Sequence, residues 1–232
     1  MIRCLRSGSC DRRRGHFLWR ASVWQHDERT IVRSVIVSST AYASRRVVLG
    51  DLVSTSAVGS AALVVSGAAL IGVLAQVAIP LPFTPVPLTG QTLGVLLVAA
   101  ALGRLRGIAA TSLYGLAGIA GVPWFAGGGS GWAIASFGYI IGFVAAAAIA
   151  GGLAERGWDR RPLRALSAMV LANAVILACG TLWLAGALQV SIWRAIELGV
   201  VPFIIGDLVK IMLAAGLLPS AWWLVNRVTG RR

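Results

Sequence analysis

Hydrophobic residues in this chain run in blocks and do not alternate with polar ones. Six apolar stretches cover 57–79, 88–103, 107–121, 132–154, 163–188 and 198–226, separated by short charged, proline-rich or glycine-rich interruptions. The stretches are rich in Ala, Leu, Gly and Val and lack the period of two expected of membrane barrel strands, so each predicts a helix. A helix that crosses a bilayer needs roughly 20 apolar residues. The second and third stretches fall short of that. They predict helices that are tilted, partly re-entrant or extended by their loops.

The interruptions alternate in charge. Arg104 and Arg106 lie between the second and third stretches, and Arg156, Arg160, Arg161 and Arg164 lie between the fourth and fifth. Arg227, Arg231 and Arg232 close the chain. The connection Pro80-Leu-Pro-Phe-Thr84-Pro-Val-Pro87 has no charge, and neither has Val122-Pro-Trp124-Phe125-Ala-Gly127-Gly128-Gly-Ser-Gly131. The remaining connection sets Arg194 against Glu197. Basic loops on one side predict an all-α membrane protein with six transmembrane helices and both termini cytoplasmic. The two uncharged loops then lie outside. One is stiff and short of backbone donors, and the other is free to approach a ligand closely. Two readings fit them: lids over an outer cavity, or segments dipping into the lipid interface.

Composition agrees with a lipid environment. Of the 232 residues 57% are hydrophobic and 12% charged, against about 25% charged in soluble domains. Mean hydropathy is +0.81. The net charge of +13 does not signal nucleic acid, because it is concentrated in residues 1–46 and in the loops, with no basic-aromatic sheet pattern or metal-finger spacing. Residues 1–50 are expected to be an Arg-rich, poorly ordered cytoplasmic extension, or the product of an upstream start codon. Residues 51–232 are expected to form the transmembrane substrate-binding domain. Cys4, Cys10 and Cys179 are scattered and both histidines lie in the extension, so no metal site or cofactor is expected. There is no phosphate-binding Gly-x4-Gly-Lys-Ser/Thr loop and no Gly-x-Ser-x-Gly elbow, so neither ATP hydrolysis nor serine hydrolase chemistry is expected.

The only lysine, Lys210, follows Asp207 by three residues inside the last apolar stretch. Each charge costs roughly 2.5–3.5 kcal/mol to insert. At i,i+3 the two share a helix face and can partly neutralise each other. The pair reads as a polar clamp for a small solute or as a structural lock between helices. Gln91, at the head of the second stretch, offers donors and an acceptor to a cavity or to a neighbouring helix. Tyr139 could face a flat ligand or anchor at the interface. Ala68, Gly72 and Ala75 in the first stretch allow close helix approach, either within the bundle or by a docked partner. Asn173 reads as a packing residue.

The motifs Pro80-Leu-Pro-Phe-Thr84-Pro-Val-Pro-Leu-Thr-Gly-Gln91-Thr-Leu-Gly94, Gly103-Arg-Leu-Arg-Gly107, Gly121-Val-Pro-Trp124-Phe125-Ala-Gly127-Gly128, Gly138-Tyr139-Ile-Ile-Gly142-Phe143 and Gly206-Asp207-Leu-Val-Lys210 resemble the BioY family of biotin transporters, from about residue 60 to 225. That family comprises the substrate-binding S components of energy-coupling factor (ECF) transporters. The resemblance implies a plasma-membrane, multi-pass, non-enzymatic protein that captures biotin at the outer face. It implies partnership with an ECF transmembrane coupling protein and two ATPase subunits. It also implies a pocket in which Asp207 and Lys210 meet polar groups of biotin, with Gln91, Tyr139, Gly127, Gly128, Thr84, Trp124 and Phe125 around it. Ala135-Ser136-Phe137 departs from the family's Pro-Thr-Gly. The residue pattern alone leaves open a stand-alone ion-coupled carrier with Asp207 as its ion-carrying group, and a non-transporting scaffold.

Overall fold

The computed structural model describes residues 47–230; most of the expected extension, up to residue 46, and Arg231 and Arg232 lie outside the described residues. A short helix α1 (Leu49–Val53) leads into α2 (Ala57–Gln76), whose first turn is capped by Ser56 Oγ accepting from the Gly59 N–H at 3.0 Å. Then come β1 (Ala78–Ile79), β2 (Leu88–Thr89), α3 (Gln91–Leu102) and α4 (Arg104–Ile119). A 3-10 turn (Ala126–Gly128) precedes α5 (Phe137–Ala154), and another (Trp158–Arg160) precedes α6 (Pro162–Leu188). α7 (Ile192–Gly199), a third 3-10 turn (Val201–Phe203) and α8 (Ile204–Thr229) complete the described chain.

Three expectations of the sequence are corrected. The ends of the first two stretches, expected to be helical, are not: Ala78 pairs with Thr89 and Ile79 with Leu88 in a short antiparallel ladder that flanks the proline-rich connection. The fourth helix starts at Phe137, five residues later than expected, after Gly131 has turned the chain at φ 84°. The last stretch, expected from 198, becomes an unbroken helix only at Ile204, and the connection before it, with Arg194 and Glu197, is itself the helix α7. Pro202 lacks the donor needed to continue α7 and disfavours helical geometry in the residue before it, so the chain breaks at Val200 (φ −123°, ψ −56°) and restarts as α8.

Lipid gives helices no hydrophobic reason to associate, so close packing must come from small side chains. α5 lies at the centre, against α3, α4 and α6, and buries Gly142, Ala146, Ala147, Ala150 and Gly151. A methyl group on Gly142 would stand 2.9 Å from Ile176 Cα, and one on Gly151 would stand 2.6 Å from the Gly103 carbonyl carbon. Large apolar side chains such as Val58, Val73, Ile141, Leu182, Ile205 and Met212 point outward instead. Among the described residues, Ala57–Gln76, Phe137–Ala154, Pro162–Leu188 and the broken run Ile192–Thr229 are long and apolar enough to cross a membrane. α3 is apolar but, with 12 residues, rises only about 18 Å.

The small residues of α2 are also corrected. Ala68, Gly72 and Ala75 are buried in the bundle, and Gly72 receives the Trp124 ring. Their small size is used within the chain, which leaves no open face at these three positions for a docked partner.

Candidate ligand cavity

The two uncharged connections meet at one end of the bundle, opposite the arginine-bearing turns, and beneath them lies a partly open cavity whose empty space, mouth included, is about 510 Å³. Its roof is Val86 and Pro87 from the hairpin and Phe125 and Ala126 from the glycine-rich loop. Its sides are Gln91 and Thr92 from the first turn of α3, with Ser136, Tyr139, Ile140 and Phe143 at and within the start of α5. Leu177 of α6, Phe203, and Asp207 and Lys210 of α8 close it. The lining is apolar apart from a few convergent polar groups, as small-molecule sites usually are.

The polar groups are held by identifiable bonds. Lys210 Nζ donates to Asp207 Oδ1 at 3.0 Å, the two side chains being 13% and 6% exposed. Asn173 Nδ2 of α6 donates to Asp207 Oδ2 at 3.0 Å. The carboxylate is thus gripped from its own helix and from a neighbour. The break before α8 places Asp207 in a first helical turn, where a negative charge is favoured. Thr89 Oγ1 donates to Gln91 Oε1 at 3.0 Å, Gln91 Nε2 donates to the Tyr114 hydroxyl, and that hydroxyl donates to the Trp124 carbonyl at 3.3 Å. Tyr139 donates its hydroxyl proton to the Gly199 carbonyl at 2.7 Å, so it presents its ring to the cavity with its donor already used.

The structure therefore brings Asp207, Lys210, Gln91, Tyr139 and Phe125 around one space. Thr84 and Gly127 lie elsewhere, lining a neighbouring hollow of about 590 Å³ that shares Pro87 and Ala126 with the first. Gly128 lines neither of these two hollows. Trp124 is not a cavity wall. Its ring packs on Tyr114, with centroids 5.1 Å apart, and its indole N–H donates to the Tyr114 carbonyl at 3.0 Å. Phe137 also stays out of the cavity, because it turns edge-on to Trp183, 5.4 Å away. Sequence reasoning missed Thr92, Phe143, Leu177 and Phe203 as lining residues and Asn173 as a partner of Asp207. Asn173 carried a usable signal, as a lone amide in a long apolar helix. The others look like any core residue.

A buried ion pair at the wall of a mostly apolar cavity in a helical membrane protein is the arrangement a small-solute site needs. Residues 44–227 match the model of the BioY family, and the chain belongs to that family. It is 38% identical over 157 residues to the biotin transporter BioY2 of Lactococcus lactis subsp. cremoris, covering 66% of this chain and 85% of that protein. It is 37% identical over 154 residues to the biotin transporter BioY of Thermotoga maritima, covering 63% and 86% respectively. The fold is similar to the crystal structure of an S-component for biotin from an ECF-type ABC transporter, with a TM-score of 0.64 at 21% identity over 71% of this chain and 90% of that one. BioY-family proteins are membrane transport components, not enzymes.

Proposed function

We propose that the chain is a biotin-binding S component. It takes biotin into the cavity beneath the hairpin and the glycine-rich loop, and delivers it inward with an ECF coupling protein and two ATPase subunits. The helices form six spans in the plasma membrane, α3 and α4 acting as the two short ones, with both termini on the basic, cytoplasmic side. Biotin is the cargo, and no resident cofactor is required.

The observation that carries this reading is the Asp207 carboxylate beside Lys210 at the wall of the cavity. The ureido ring of biotin has two N–H donors and one carbonyl acceptor. A carboxylate matches the donors, and the ammonium, with two further N–H groups, matches the acceptor. Tyr139, Phe143 and Phe203 supply apolar surface for the fused ring and its chain, worth roughly 25 cal/mol per Å² buried.

Titration calorimetry of the purified full chain with biotin tests the proposal. Asp207→Asn and Lys210→Met should each weaken binding by about tenfold or more, since truncating one member of a buried pair costs several kcal/mol. Wild-type affinity in both variants would remove the assignment.

A further inference from the structure

We infer that Asn173 is a positioning residue for ligand recognition: it holds the Asp207 carboxylate open toward the cavity against the pull of Lys210. Asn173 lies midway along α6 and is 4% exposed. Leu177, one turn further along, lines the cavity. The amide therefore stands one layer behind the wall, where it donates to Asp207 Oδ2 at 3.0 Å.

The other end of the amide argues against simple packing. Asn173 Oδ1 is buried with no hydrogen-bond partner. A side chain present only to fill space would be better apolar, because an orphaned buried acceptor is costly. What the amide gains at this position is its bond to the carboxylate. Lys210 holds Oδ1 alone, so a carboxylate without Asn173 is free to turn and give both oxygens to the ammonium. Two of the ammonium's three N–H groups would then be spent on the carboxylate, leaving one for a ligand. With Asn173 in place the carboxylate plane is fixed, each oxygen keeps a lone pair, and the ammonium keeps two donors. The role builds on the proposed biotin reading only in its choice of probe.

The test is a double-mutant cycle in the full chain, read by biotin calorimetry, with Asn173→Leu made in the wild-type and in the Asp207→Asn backgrounds. Asn173→Leu should weaken biotin by about tenfold alone and by less than about twofold in the Asp207→Asn background, the non-additivity of a residue acting through another. Equal losses in both backgrounds would overturn the inference, because a residue that merely packs α6 costs the same with or without the carboxylate. A second readout needs no ligand. The infrared carboxylate stretch assigned to Asp207, by its loss in Asp207→Asn, should shift in Asn173→Leu. An unmoved band overturns the inference even if biotin affinity falls. If the wild-type chain does not bind biotin, the biotin reading fails, and the band shift alone sustains or rejects the role of Asn173.

Discussion

At the scale of single residues, the cavity depends on rings that fit because a neighbour has no side chain. The Tyr139 ring passes so close to Gly180 that a methyl group there would meet it at 2.3 Å. Gly180→Ala must therefore displace a ring that also lines the cavity and anchors α7 through Gly199. Overpacking of this kind costs about 1–3 kcal/mol. The expected outcome is a lower melting temperature in detergent together with weaker biotin binding. Gly216 of α8 has nothing within 4 Å of such a methyl, and Gly216→Ala should leave both measurements at or slightly above wild type. Equal behaviour of the two variants would mean that the Tyr139 ring has room to yield. None of this was legible in the sequence, where the glycines of α6 and α8 look alike. Asp207 and Lys210 were legible because charge in an apolar run has few explanations. The partner of Asp207 was not, because an i,i+3 spacing reveals contacts along one helix and says nothing of the helix alongside.

At the scale of elements, apolar runs and punctuation gave the helices from Ala57, Gln91, Arg104 and Pro162 to within a few residues. α7 was missed because Arg194 and Glu197 read as a connection, and the late start of α8 because Pro202 lies among apolar residues that would fit either state, whereas Pro219 sits inside α8 without ending it. The hairpin was hidden because its four paired residues are apolar or small and continue the neighbouring apolar runs, which read as helix ends. It survives its prolines because only Ala78–Ile79 and Leu88–Thr89 pair. One bond ties its loop to α7: Thr84 Oγ1 donates to the Leu198 carbonyl at 2.7 Å. Thr84, expected at the ligand, lines the adjoining hollow and also fastens this loop. Thr84→Val keeps the shape and removes that bond together with the one Thr84 Oγ1 accepts from the Val86 N–H at 3.3 Å, each worth about 1 kcal/mol. Biotin should then leave about fivefold faster or more, as read by stopped-flow tryptophan fluorescence, with melting lowered by only a few degrees. An unaltered off-rate would show that the roof is held by other contacts.

At the scale of the whole molecule, the end opposite the cavity is fastened by a second buried carboxylate. Asp159, in the turn between α5 and α6, accepts from the Trp222 indole of α8. Arg160 lies 4.2 Å over the Trp222 ring and donates to the Val47 carbonyl at 2.9 Å, tying the first described residue to the same knot. Burial pushes the Asp159 carboxyl above the usual carboxylate range, against the opposing effects of the Trp222 bond and the Arg160 charge. A carboxyl raised in the folded state favours folding most below its unfolded value, and that contribution is lost as pH rises through the folded value. Asp159→Asn keeps an acceptor for Trp222 and removes the titration. As pH rises from about 4, the usual unfolded value, its melting temperature should fall less than that of the wild type. Parallel curves would refute the assignment.

Because Asp207 and Lys210 cancel, a vacant cavity moved through the bilayer takes no net charge with it. Biotin carries one carboxylate of its own, so on the proposed reading the occupied cavity is an anion. A potential that is negative inside opposes its full inward transfer by about 2.3 kcal/mol per 100 mV. On that reading the ion pair adds no voltage dependence to the return of the empty cavity, and the cargo's charge places its work against the field on the loaded stroke.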